Sequence, residues 1–157
     1  TPLNTNAEDI RTKISAINDD ELRKQTLMED MTIHILNLGI DDRLKRGDLT
    51  LVEDIANITT RGKSHHMLHF ASVYCNYHKP DIYPIYSEQH FAFYRQYIKT
   101  FALQLDPEKL NTYQVFSDAL NDLLTRANLK GKMNYLHILK FGWLYADKVL
   151  EEAGITV

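Results

Sequence analysis

Apolar residues recur at helical spacing along almost the whole chain. Ile10, Ile14 and Ile17 predict a first helix over 7–17. Asp19 and Asp20 stand where a cap belongs for a second helix over 21–38. Its stripe is Leu27 or Met28, Met31, Ile35 and Leu38, and Gly39 is placed to end it. After the charged stretch 41–47, Asp48 is placed as the N-cap of a helix that carries Leu51, Val52, Ile55 and Ile58 on one side. Thr59 to Gly62 breaks the pattern, with β-branched threonines and a glycine that tolerates positive φ. Lys63 to His78 then predicts a wide-faced helix. Met67, Phe70, Ala71, Tyr74 and His78 share its stripe, and His65, His69, Ser72, Asn76 and Lys79 form one wet or ligand-facing edge.

Pro80 and Pro84 exclude helix over 79–86. Ser87 is placed to cap a helix running to about Leu105, with Phe91, Tyr94, Ile98, Phe101 and Leu105 inward. Asp106-Pro107-Glu108 reads as a helix start: a cap, a proline in the first turn, and an acid near the positive end of the dipole. Leu110, Tyr113, Phe116, Leu120 and Leu124 continue that helix. Lys130-Gly131-Lys132 reads as a turn, and 133–153 as a last helix ended by Gly154. No stretch alternates with period two for long enough to predict a strand. The expectation is an all-α fold: a single compact multi-helix domain over 1–157, with a polar lead-in at 1–6 and its hairpin and aromatic core over 48–105.

Composition supports this picture. The 157 residues suit one domain and are 44% hydrophobic and 25% charged. No apolar run approaches the ~20 residues needed to span a bilayer, and the polar stretch Thr1 to Arg11 does not read as a signal peptide. A lone cysteine, Cys75, excludes an internal disulfide and points to a reducing compartment, most simply the cytoplasm. The segment from Phe70 to Phe101 holds 10 of the 16 aromatics, so the core is expected there.

Charge adds a candidate partner. Residues 1–60 carry 7 Lys+Arg against 12 Asp+Glu, residues 61–140 carry 10 against 6, and residues 141–157 carry 1 against 3. A basic middle between acidic flanks can face a phosphate backbone, or be ordinary scatter. Within it, Arg61, Gly62, Lys63 and Ser64 lie where two helices are expected to meet. Such a turn presents backbone N–H groups to a phosphate and reads no base sequence. The alternative is a tight αα-turn with two solvated cations.

Histidine offers less. His65 and His69, four apart, would share a helix face and could ligate one metal, but two ligands do not define a site. The alternative is that they partner loop carbonyls. No metal, cofactor or catalytic residue is therefore assigned. Tyr83 and Tyr86, with their aromatic neighbours, could line a pocket for a base or another flat ligand together with His65, His69, Ser87 and Arg95. The alternative is a core with hydroxyls bonded at its rim. Cys75, mid-helix, reads as an inert buried thiol. No serine-hydrolase elbow, Walker loop or dinucleotide fingerprint is present.

The order of a hairpin, a buried helix, a proline loop and a capped helix over about residues 48–105 resembles the helix-hairpin-helix DNA glycosylase superfamily. Ile58 and Gly62 match two positions of its hairpin motif. Pro84-Ile85-Tyr86 matches the approach to its catalytic aspartate, and Arg95 a later arginine. Thr60 replaces a hairpin glycine, Ser64 stands where some members carry a nucleophilic lysine, and Ser87 stands at the aspartate. Serine neither balances an oxocarbenium charge nor serves as a base of useful pKa. The resemblance therefore implies a helix-hairpin-helix-like domain that binds DNA without excising bases. A domain kept for protein interaction is the other expectation. The passage His69 to Glu88 also resembles uncharacterised bacterial proteins that carry Ala-Thr-Lys-Tyr-Cys, then His-x-Pro, then Pro-Ile-Tyr-Asp-Ser.

Overall fold

The computed structural model describes residues 4–60, 62–152 and 154. Within its first and last helices, the side chains of 4–11, 13, 14, 17, 18, 147 and 149 lie outside the description. The described chain is mostly helical. Helix α1 spans Asn4–Asn37, α2 Ile40–Arg46 and α3 Thr50–Ala56. A two-stranded antiparallel hairpin follows, β1 over Asn57–Thr60 and β2 over Lys63–His66. Then come α4 (Leu68–His78), α5 (Phe91–Thr100), α6 (Tyr113–Arg126) and α7 (Tyr135–Glu152). No helix of the described residues is long and apolar enough to cross a membrane.

Four expectations are corrected. The two N-terminal helices are one. Asp20 does not cap anything; from mid-helix it meets Lys24 one turn on, at 2.8 Å. The helix ends at Gly39, whose φ of +59° is the left-handed conformation foreseen for it.

The second correction is the junction after α3, which is a β-hairpin, so the mostly helical fold includes one small two-stranded sheet. Asn57 pairs with His66, Ile58 with His65, Thr59 with Ser64 and Thr60 with Lys63. Ile58-Thr59-Thr60 is β-branched throughout, which favours strand over helix. Ile58 is buried in the core, and a one-residue slip would expose it, so its side chain holds the register. Met67 N–H donates to the Ala56 carbonyl at 2.9 Å and closes the base. Lys63–His66 is thereby strand, and α4 starts later than its apolar stripe suggested.

The third correction concerns Ser87, which is extended and caps nothing. A 3-10 turn over Glu88–His90 precedes α5. In the fourth, Asp106 does accept the Glu108 amide, at 3.0 Å, but it opens only a 3-10 turn. Helix α6 begins at Tyr113, whose N–H is taken by Glu53 Oε1 at 2.7 Å. A carboxylate from α3 thus caps α6, a tertiary bond that no local pattern records.

Helix α3 is the hub. Leu51, Val52, Ile55 and Ala56 are wholly buried, and α4 packs along them. The N-terminus of α3 is set by Asp48, whose Oδ1 accepts from the Thr50 amide at 3.0 Å and from its hydroxyl at 2.6 Å. Those bonds and the Arg43 guanidinium, at 2.8 Å, hold the Asp48 carboxyl below the usual carboxylate range. Arg43 also meets Asp54 at 2.6 Å and so ties α2 to α3. Beyond α4, Tyr86, Tyr94 and Phe116 meet edge-on at centroid distances of 5.2–5.5 Å, as the aromatic clustering predicts.

Candidate functional site

The hairpin turns between Thr60 and Lys63. Gly62 adopts φ +72°, a conformation that costs glycine little, and two-residue hairpin turns need such positions. Gly62, Lys63 and Ser64 are exposed, and Lys63 makes no ion pair with the described residues. Arg61, the other cation assigned to this turn, lies outside the described residues. Ser64 and Thr59 hydroxyls lie 3.3 Å apart across the ladder, and His65 Nε2 lies 3.3 Å from the Thr60 hydroxyl.

Strand β2 leads from this tip to the edge of a cavity of about 630 Å³. The walls are His66 and Met67 at the end of β2, Leu68 to Phe70 at the start of α4, Tyr86 to Gln89, and Trp143 of α7. Of the six residues foreseen as a pocket, His69, Tyr86 and Ser87 are brought together here.

The other three are not. Tyr83 is fully buried and donates to the Asp48 carbonyl at 3.2 Å, and burial pushes its phenol up to about 12; it belongs to the core. His65 points to Thr60 from β2. Arg95 lies over the Phe91 ring, 5.7 Å from its centroid. Because His65 is in a strand and His69 in a helix, their spacing of four does not stack them on one face. Among the described residues no group of three or more His, Cys, Asp or Glu side chains could hold a metal ion. Cys75 is buried, and desolvation pushes its thiol up to about 12, as expected of an inert thiol.

The edge of α4 read as wet serves the proline loop instead. Ser72 is fully buried; its hydroxyl donates to the His69 carbonyl at 2.8 Å and accepts the Tyr86 N–H at 3.0 Å. Asn76 Nδ2 donates to the Tyr83 carbonyl at 2.7 Å, and the Tyr113 hydroxyl to that of Pro84 at 2.8 Å. His69 Nδ1 bonds the Tyr86 carbonyl at 2.8 Å. A carbonyl only accepts, so Nδ1 carries the proton, and in the neutral ring Nε2 is left as an acceptor.

Sequence reasoning missed Phe70, Glu88 and Trp143 as wall residues. Phe70 was counted as core, yet it is 40% exposed. Glu88 comes to the wall from the 3-10 turn over Glu88–His90, where a helix capped by Ser87 was expected. Trp143 reaches the cavity because α7 approaches closely at Gly142, where an added Cβ would lie 2.7 Å from Cε1 of the buried His90 ring. The one signal in the sequence was a glycine inside a strongly apolar helix.

Comparison with known proteins finds a matching family model and a bacterial relative. A family model described as the HI_0787_N N-terminal domain matches residues 1–82. An uncharacterized protein of Haemophilus influenzae (strain ATCC 51907 / DSM 11121 / KW20 / Rd) is 36% identical over 110 residues, which cover 68% of this chain and 53% of that protein. The chain thus spans about half the length of the curated relative it matches. No solved structure matches it.

Proposed function

Because the chain belongs to the HI_0787_N family, and its Haemophilus influenzae relative is described only as an uncharacterized protein, we propose a function from the residues themselves. The domain binds DNA or another phosphate polymer without reading its sequence, through Arg61, Gly62, Lys63 and Ser64, and does no base excision. The observation that supports this reading is the exposed hairpin tip, where Lys63 makes no ion pair with the described residues. The surplus of cations over 61–140 adds to it. The helix-hairpin-helix likeness survives in this reading only as an order of elements, because the turn now joins two strands. Ser64 and Ser87 occupy the positions where that resemblance would need a lysine and an aspartate.

The test is fluorescence anisotropy of a labelled duplex, with and without an abasic site, across a salt series. Wild type is expected to bind with a steep salt dependence. The double variant Arg61→Glu/Lys63→Glu is expected to bind more weakly, with a log–log slope shallower by about 2 for two lost phosphate contacts. Binding that ignores the variant, or salt, would overturn the proposal.

A second reading, a protein-interaction or regulatory domain, is favoured by α7. Leu136, Phe141, Trp143, Leu144 and Tyr145 are all exposed on it, more large apolar surface than scattered single residues explain. A wild-type protein that leaves the duplex free at low salt would select this reading.

A further inference from the structure

We propose that the cavity beside Trp143 binds a flat heteroaromatic ring bearing amino N–H donors, the chemistry of a guanine, adenine or cytosine base. Its volume of about 630 Å³ lies within the ~300–1,000 Å³ typical of small-molecule sites. Two of its walls are aromatic and face solvent, Trp143 at 59% and Phe70 at 40% exposure. Rings left open at a cavity rim offer stacking surface for any π-system.

The remaining walls choose among flat ligands. The His69 ring, with Nδ1 committed to the Tyr86 carbonyl, keeps Nε2 as an acceptor. Glu88 adds a carboxylate, which accepts only. Ser87 is 7% exposed and its hydroxyl makes no hydrogen bond to the described residues, so a ligand can take it as donor or acceptor. Gln89 on the same wall can donate as well as accept, whereas His69 Nε2 and the Glu88 carboxylate, on exposed residues, accept only, so an exocyclic amine gives them a partner that a purely apolar ring does not. Two features hold the geometry. The loop that carries Ser87 and Glu88 is tied to α4 by Ser72, and α7 is seated on His90 at Gly142. The site is separate from the hairpin tip and does not depend on phosphate being held there.

Trp143 is the only tryptophan, so its emission reports on the cavity without a label. The experiment titrates wild-type protein with guanosine, adenosine, cytidine and uridine, none of which carries a phosphate, and corrects for ligand absorption. The expected result is a saturable change in emission with the three amino-bearing nucleosides. Uridine should bind about tenfold or more weakly, having no exocyclic amine for the charged acceptor. Phe70→Ala, at an exposed position, is expected to fold normally by circular dichroism and to weaken binding about 5- to 150-fold, the range for one stacked base. Glu88→Gln is expected to erase the discrimination against uridine while keeping the quench. Emission unchanged by all four nucleosides, equal affinity for uridine, or a Phe70→Ala variant that binds as wild type would each overturn the proposal. Because the ligands lack phosphate, such a failure would leave the duplex measurement above untouched.

Discussion

The hairpin over 57–66 and the proline loop over 79–87 both border the cavity, but they are held in different ways. The hairpin carries its own ladder and meets the rest of the molecule at its base, through Ile58, the Met67–Ala56 bond and the bonds of Asn57 and His66 to Glu53. The loop has one backbone turn at its start, Ile82 N–H and Tyr83 N–H both to the Lys79 carbonyl. Beyond that turn its carbonyls and amides are taken by side chains of α4 and α6: Asn76, Ser72, His69 and the Tyr113 hydroxyl. A buried segment without regular structure must find partners for its polar groups, and here the neighbouring helices supply them. A self-sufficient segment can vary at its tip, whereas a borrowed one is sensitive wherever a lender changes.

Three substitutions would sharpen or break that contrast. Tyr83→Ala removes a fully buried ring from the loop and is expected to cost about 3–5 kcal/mol, as large aromatic truncations do; urea unfolding measures it. Ser72→Ala leaves the buried Tyr86 N–H without its acceptor and is expected to cost about 1–3 kcal/mol in the same assay. It should also loosen Ser87 and Glu88, seen as faster amide exchange at Tyr86. The smallest effect belongs to the hairpin: Lys63→Glu at the exposed tip is expected to shift stability by no more than about 0.5 kcal/mol. A Lys63→Glu loss as large as that of Ser72→Ala would mean that the tip is not independent.

The two segments also mark how far the sequence could be read. The proline loop was legible, because two prolines within five residues forbid helix whatever surrounds them. The hairpin was not. Strands of four residues are too short to show period two, and one apolar residue, Ile58, sets the register. The aspartates at 19 and 20 misled for a related reason. Asp is accepted mid-helix when a lysine lies one turn on, and a cap pattern looks the same until the backbone is seen to continue.

Of the pocket, His69, Tyr86 and Ser87 were foreseen because they lie close in sequence around the loop. Trp143 and Phe70 were not. One comes from the far end of the chain, and the other was assigned to the core face of α4, which instead centres on Leu68, Ala71, Ser72 and Cys75.

By itself the sequence determined what depends on local chemistry. It determined the helical periodicity of α4 to α7, the cap at Asp48, the positive φ at Gly39 and Gly62, the proline break and the aromatic centre. These follow from sterics and hydrogen bonds within a few residues. Only the tertiary structure decided that Glu53 caps α6, that α4's polar edge holds the proline loop, and that Gly142 lets α7 bring Trp143 to the cavity. Each of these joins groups distant in sequence, and their meeting is set by how the buried faces of the helices pack, which no local pattern encodes.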